Sequence, residues 1–460
     1  MTTAPHRRAR RGQPHASALS LRALARRRRS SRRPLAVWRR RSPAVRRALA
    51  PLLASAAAVA LLLTLIPAAT AAAAKLPAPP HLTAPAGAVF EASTGEPLYG
   101  VDAGERRLIA STTKMMTALV AMDELPLQRV CTATDYVPSA GESQVGLHPG
   151  ERMTVKDLLR GLMLPSGNDA AEALAVCASG TRAAFIAAMN AKARALRLAN
   201  THFETPVGLD TPGNYSTAAD LARLGIAVRR NRFLARTVDL RSAQLTSGAV
   251  PRTVVNRNTL VQEFPWVDGV KSGHTNAAGY LLVASGTRRG VTYVASVMGE
   301  PNEGTRDADA LALLRWAFAT HTFRTPVRSR AVYARATVKY RSEDEIELIA
   351  TRTVRELVRR DARISVAVRA PRELQGPLPE NAVVGSLTVR VSGRVVATVP
   401  LVTRTAVPEV GLFTRAADAV ARPGSLIAIV VVLGGLATLL LLRRRHGTRR
   451  SRRRADMEAA

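Results

Sequence analysis

The sequence predicts an α/β (α+β) domain in which a sheet meets a helical cluster, then a small all-β second domain, then a single C-terminal transmembrane helix. Three observations carry this. Strand-like apolar runs at residues 88–99 and 279–299 enclose a long stretch whose apolar residues recur at helical spacing. After Phe323 that spacing nearly vanishes, and alternation of apolar and polar residues takes over. Near the end, residues 426–442 hold no charge and are followed at once by Arg443, Arg444 and Arg445.

Taken along the chain, residues 1–47 contain 16 Arg and no acidic residue. Residues 48–74 are apolar and Ala-rich and end in Ala71, Ala72, Ala73 and Ala74. Residues 1–74 therefore read as a basic leader and signal peptide, with an uncleaved anchor as the alternative. Residues 75–87, rich in Pro and Ala, read as a linker. Two short strands are expected over 88–99, around the turn Ser93-Thr94-Gly95-Glu96. Helices are expected over 111–125, 155–164, 169–178, 183–196 and 217–229, the last with Thr217 as N-cap. Strands over 279–285 and 291–299 and a helix over 306–318 complete the first domain at 88–322. Residues 323–405 read as the β-rich domain, with strands over 331–340, 346–352, 364–368 and 383–402 and Gly393 at a turn. Residues 424–442 read as the transmembrane helix and 443–460 as a basic tail held in the cytoplasm by its arginines.

A formal net charge of +33 would suggest nucleic acid if it were evenly spread. Most of it sits in the two tails, flanking apolar segments, so the cytoplasmic membrane is the expected partner and nucleic acid is not. The eight His are scattered without zinc spacing, and neither a metal nor a cofactor is expected. Cys131 and Cys177 fall in the part expected to be exported, where both a disulfide and simple burial are open. Lysine is scarce: Lys75, Lys114, Lys156, Lys192, Lys271 and Lys339 are the whole set. A Lys kept in so Arg-rich a chain is informative, because Lys can lose its proton and Arg cannot.

Two of those lysines fall in motifs. Ser111-Thr112-Thr113-Lys114 is Ser-x-x-Lys at a helix start, which puts both side chains on one face. A serine hydroxyl is a poor nucleophile until a neighbour takes its proton, and a Lys with a lowered pKa can do so. Ser166-Gly167-Asn168 stands before a helix, where Ser166 can relay a proton and Asn168 can hydrogen-bond Lys and substrate backbone. Lys271-Ser272-Gly273 stands where a strand is expected, with Lys271 able to attract a carboxylate and Gly273 allowing close approach of a ligand. Each alone is weak: a cap, a turn, a strand end. Together, in this order and at spacings of 55 and 105 residues, they form the trio of penicillin-binding proteins and class A β-lactamases.

Flanking residues extend the match. Ala92-Ser93-Thr94-Gly95-Glu96-Pro97-Leu98-Tyr99, Asn200-Thr201-His202-Phe203, Gly208-Leu209-Asp210 and Gly269 through Thr275 resemble the serine-type D-Ala-D-Ala carboxypeptidases, the low-molecular-mass penicillin-binding proteins. The resemblance is strong over 80–322 and looser over 323–405, where Gly376-Pro377-Leu378, Val384-Gly385 and Val399-Pro400-Leu401 resemble the family's second domain. It implies a β-lactamase/transpeptidase-like catalytic fold. It implies peptidoglycan stem peptides as substrate, β-lactam antibiotics as inhibitors, and Ser111 as nucleophile. It further implies an oxyanion hole from the backbone N–H groups of Ser111 and His274, and Thr275 and Arg306 on the substrate carboxylate. Three departures stand out: Ser272 for the usual Thr, Glu91 for the usual Asp, and a spanning C-terminal helix for an amphipathic surface helix.

Rival readings remain at this level. A class A-like β-lactamase shares the motif order, but its Glu-x-x-x-Asn loop is missing: Glu204 is followed four positions later by Gly208. A DD-endopeptidase of the same clan is the nearer rival. A non-catalytic wall-binding protein is disfavoured by intact Ser111, Lys114, Ser166, Asn168 and Lys271.

Overall fold

Two hairpins with apolar alternation build the central sheet: β1 (Ala86–Glu91) with β2 (Pro97–Val101), and β4 (Gly279–Arg288) with β5 (Val291–Glu300), joined at its edge by β3 (Val267–Thr275). The computed structural model describes residues 75–421 and 423–458; the leader and signal peptide expected at 1–74 lie outside the described residues. The strand order is β2-β1-β5-β4-β3, antiparallel throughout. The N-terminal strand thus lies inside the sheet, sealed to β5 with Val89 opposite Ala295. Glu91 shows how the departure from Asp is accommodated. Its Oε2 accepts from Ser93 Oγ (2.8 Å) and from the Thr94 N–H (2.7 Å), so it organises the hairpin turn.

Both faces of the sheet are covered, because successive side chains on a strand point to opposite sides. Phe90, Leu281, Val283 and Val294 join one core with α1 (Lys114–Glu124), α2 (Val155–Met163), α3 (Asn168–Ser179), α4 (Arg182–Ala195) and α5 (Ala218–Arg230). Val89, Leu282, Ala284 and Val297 pack instead against Leu313, Leu314 and Ala317 of α6 (Glu303–Thr320). Helix starts follow local chemistry: Thr217 accepts from the Asp220 N–H at 3.1 Å, and Asn302 accepts from the Thr305 N–H at 2.9 Å. Part of the Pro-rich stretch before β1 also docks on α6. Leu82 and Ala84 are buried, and the N–H groups of Thr83 and Ala84 donate to Asp309.

The cysteines are joined. The Cys131–Cys177 disulfide ties the strand Val130–Thr132 to α3 across 46 residues. On loop-closure entropy such a bond contributes about 4 kcal/mol. Cys131→Ser is expected to lower the unfolding free energy by about 2–4 kcal/mol. Denaturant melts with and without reductant check this: reductant should destabilise the parent and leave the variant unchanged.

The β-rich region differs in detail from the alternation pattern. Its six-stranded sheet runs in the order 364–369, 383–391, 394–403, 341–350, 332–338, 373–374. A separate two-stranded sheet pairs His321–Val327 with Val354–Arg359, neither of which the alternation flagged. Residues 354–359 carry Val354, Leu357 and Val358, a helical spacing that pairing overrides. Beyond it, α7 (Leu412–Ala421) was also not expected; it presents Leu412 and Phe413 to solvent. It is followed by α8 (Pro423–Glu458), in which 427–444 are long and apolar enough to cross a membrane and lie wholly exposed.

Candidate active site

The turn that carries Ser111 is built by close packing. Ser111 lies in a 3-10 turn, Ala110–Thr113, that runs straight into α1. This corrects the expectation of one regular helix from 111: the first turn is tighter, because strand and loop press on it. Gly273 of β3 approaches so closely that a Cβ there would lie 3.1 Å from the backbone nitrogens of Ser111 and Thr112. Gly208, at φ +92°, would place a Cβ 2.1 Å from the Ala110 carbonyl oxygen. Ala110 itself adopts φ +44°, a conformation costing on the order of 1–3 kcal/mol in a non-glycine residue. Two glycines and one strained alanine thus set where the serine stands.

Lys114 follows one turn later with its side chain fully buried. Its Nζ donates to Ser111 Oγ at 3.0 Å and to the Val207 carbonyl. Burial drives its pKa from the ordinary 10.5 to about 7; Glu142 pulls it back upwards and Arg257 pushes it further down. A large share of the amine is therefore neutral near neutral pH, as a general base requires.

The second wall is the turn between α2 and α3, which packs on α1. Ser166 sits there at φ +70°, with a buried Oγ that has no partner among the described residues. Asn168 is buried, and its Nδ2 donates to Glu142. A carboxylate only accepts, so this contact forces Nδ2 towards Glu142 and leaves Asn168 Oδ1 turned away and unpartnered. Asp169 pins the overlying loop by accepting from the N–H groups of Val145, Gly146 and Leu147.

Glu142 was not singled out by the sequence. It also accepts from Tyr136 Oη and Ser139 Oγ. Burial alone would raise its pKa, but the hydrogen bonds from Tyr136, Asn168 and Ser139 outweigh this and hold it at about 2. Its only sequence signal is an acidic residue in the loop Gly141-Glu142-Ser143, which has no periodicity to interpret. Removing its charge lowers the Lys114 pKa, since Glu142 pulls that value upwards. Glu142→Gln is therefore expected to move the acid limb of kcat/KM to lower pH and to cut kcat/KM by roughly tenfold through a loosened Asn168. An unchanged pH profile would contradict the assignment.

The third wall is β3, the free edge of the sheet. Lys271 pairs with Val283 and Gly273 with Leu281, so both face the helical core and Ser111. Ser272 and His274 alternate to the other face; His274 stacks on Tyr280 at 3.9 Å. The backbone N–H of His274 remains part of the edge strand whichever way its ring points. Lys271 Nζ donates to the Ser272 carbonyl at 2.8 Å. Burial, then the charges of Lys114, Arg257 and Arg306, hold its pKa well below the ordinary value. Thr275 Oγ1 donates to Asp210 at 2.9 Å. Arg306 is buried in the first turn of α6, bonded to Asp307 (2.8 Å) and Glu303 (3.1 Å), with Nη2 left unpartnered. Arg257 was also missed by the sequence, because its influence on both lysines arises only from the fold.

Residues 73–302 match the family described as D-alanyl-D-alanine carboxypeptidase. Residues 324–409 match the C-terminal domain of penicillin-binding protein 5. The chain is 33% identical over 359 residues to the D-alanyl-D-alanine carboxypeptidase DacA of Escherichia coli K12, covering 75% of this chain and 88% of that one.

The chain belongs to the D-alanyl-D-alanine carboxypeptidase family.

DacF of Bacillus subtilis is 30% identical over 340 residues, 72% of this chain and 87% of its own. Among solved structures, penicillin-binding protein 5 of Haemophilus influenzae aligns with a TM-score of 0.57 at 28% identity, covering 72% of this chain and all of that one. The Streptomyces K15 DD-transpeptidase aligns at 0.50 and 35% identity over 53% of this chain and all of its own. In this D-alanyl-D-alanine carboxypeptidase all the motif residues from Ser111 to Thr275 fall inside the family match, while Arg306 lies just beyond it.

Proposed function

We propose that the protein removes the terminal D-Ala from peptidoglycan stem pentapeptides through an acyl-enzyme on Ser111, and that β-lactams acylate the same serine. The observation that carries this is the 3.0 Å contact between Ser111 Oγ and a buried lysine whose pKa is held at about 7. Neutral Lys114 takes the Oγ proton as the oxygen attacks the carbonyl carbon of the penultimate D-Ala. The oxyanion that forms is held by the backbone N–H groups of Ser111 and His274. Ser166 gives its hydroxyl proton to the leaving amine and takes the proton held by Lys114 in its place, the C–N bond breaks, and free D-Ala departs with Lys114 neutral again. Water then attacks the ester as Lys114 removes its proton, the bond to Ser111 Oγ breaks, and Lys114 returns the proton to that oxygen.

Binding follows from the same walls. The free edge of β3 offers unpaired backbone groups, along which an extended peptide can lie as an added strand. Asn168 Oδ1 is oriented to accept from the peptide backbone. Lys271 and the unpartnered Nη2 of Arg306 supply positive charge and donors for the terminal carboxylate, and Thr275 adds a donor once its hydroxyl turns from Asp210. Burial and neighbouring cations hold Lys271 below its ordinary pKa, and an arriving carboxylate opposes them by favouring the charged form. Ser272, turned to the α6 face, contributes through its carbonyl bond to Lys271.

We place the catalytic domain on the wall side of the cytoplasmic membrane. The apolar stretch of α8 is the single span, and the Arg-rich tail lies inside. The disulfide supports an oxidising compartment. The functional test uses the full chain in neutral detergent with a stem pentapeptide and a crosslinked peptide dimer. Release of free D-Ala from the pentapeptide is expected. Cleavage of the dimer without that release would replace this reading with a DD-endopeptidase.

A further inference from the structure

A second cavity, remote from Ser111, lies between the β4–β5 turn and the two-stranded sheet that follows α6. It measures about 340 Å³ and is lined by Arg288, Arg289, Arg355 and Arg360, with Tyr293, Phe318, His321 and Phe323 among its other walls. No acidic residue lines it. Along β4, Arg288 stands seven residues beyond Leu281, the partner of Gly273, a separation of about 23 Å at ~3.3 Å per residue. The cavity is therefore no part of the peptide site.

The arginines are held in an unusual way. Arg288 stacks over Trp266 at 3.9 Å, with Phe318 at 5.3 Å, and Arg355 stacks over Phe323 at 3.8 Å. Stacking occupies the flat face of a guanidinium and leaves its rim of N–H donors free. Among the described residues, Arg288, Arg289 and Arg355 make no side-chain hydrogen bond, and none of the four pairs with a carboxylate. Arg360 donates to the Phe318 carbonyl at the end of α6. Tyr293 adds an independent sign: it is 1% exposed, and its hydroxyl is buried without a partner. A buried phenol normally finds an acceptor, so one is wanted here.

We propose that this cavity binds a phosphate group carried on a larger molecule. A carboxylate has two oxygens and is satisfied by one guanidinium fork. Several guanidiniums from separate strands and turns, together with a phenol donor, suit a tetrahedral group with more oxygens and more charge. Outside the membrane such a group comes either from a phosphodiester wall polymer or from an anionic lipid headgroup. Occupancy would fix the catalytic domain and the β-rich region at a defined place relative to that polymer or membrane.

The test is calorimetric titration of the full chain in neutral detergent with three probes: a glycerol phosphate oligomer, a short-chain water-soluble phosphatidylglycerol, and glutarate. At least one phosphate probe is expected to bind, with affinity that falls as salt rises, and glutarate to bind at least tenfold more weakly. The phosphate probe that binds more tightly assigns the source to polymer or lipid. The double variant Arg288→Gln/Arg355→Gln is expected to weaken binding at least tenfold, and Tyr293→Phe by about fivefold, the equivalent of one hydrogen bond. D-Ala release from a soluble pentapeptide should stay at the parental rate in both, which shows that they fold. Binding unchanged in the double variant, no binding by either phosphate probe, or glutarate binding as tightly as phosphate would each overturn the proposal.

Discussion

Ser111→Ala is expected to abolish D-Ala release, with a loss of at least about four orders of magnitude in kcat. The variant loses only the attacking oxygen. The turn Ala110–Thr113 is positioned by Gly273, Gly208 and the Ile109 carbonyl that receives the Thr112 N–H, and none of these depends on the hydroxyl. Lys114 Nζ loses one acceptor but keeps the Val207 carbonyl, so stability should change by no more than about 1.5 kcal/mol, the worth of one hydrogen bond. Peptide should still bind, because Lys271, Asn168 and the β3 edge are untouched. A variant that binds and does not turn over separates chemistry from recognition. Residual release within tenfold of the parent would remove Ser111 from the mechanism.

Lys114→Arg is expected to lose activity almost as fully, by roughly three to four orders of magnitude, although it keeps the positive charge. In the proposed mechanism the lysine acts as a base, and an arginine does not give up its proton. The same requirement sets the pH profile of the parent. Below about 7 the Lys114 amine is protonated and cannot accept the Ser111 proton; above about 7 it is neutral and can. Activity should thus rise with pH through an acid limb near 7 and not near 10. A limb near 10 would mean that burial fails to lower the lysine. Activity in Lys114→Arg within tenfold of the parent would mean that another group is the base.

The parts of this site legible in the sequence are those fixed by residue type at short spacing. Ser111 with Lys114, Ser166 with Asn168, and Lys271 through Gly273 each occupy one turn or one strand, so order along the chain suffices to find them. Glu142 reaches Asn168 across 26 residues, Tyr136 acts on the site through Glu142, and Arg257 acts on Lys114 across 143 residues, so these influences exist only once the chain has folded and no local pattern marks them. The same distinction holds for the fold. The hairpins β1–β2 and β4–β5 carry their own alternation and turn. His321–Val327 contains Pro326 and little alternation, and becomes a strand only because Val354–Arg359 pairs with it. The C-terminal region was half legible. The apolar run of α8 is plain, whereas the short helix Leu412–Ala421 was hidden by its alanines and its place beside a stronger signal.

The most direct measurement of the central claim is peptide mass mapping of the full chain after brief exposure to a β-lactam. The account predicts one stoichiometric adduct, on the peptide containing Ser111, and none in Ser111→Ala. An adduct on another residue, or none on a protein that still releases D-Ala, would contradict it.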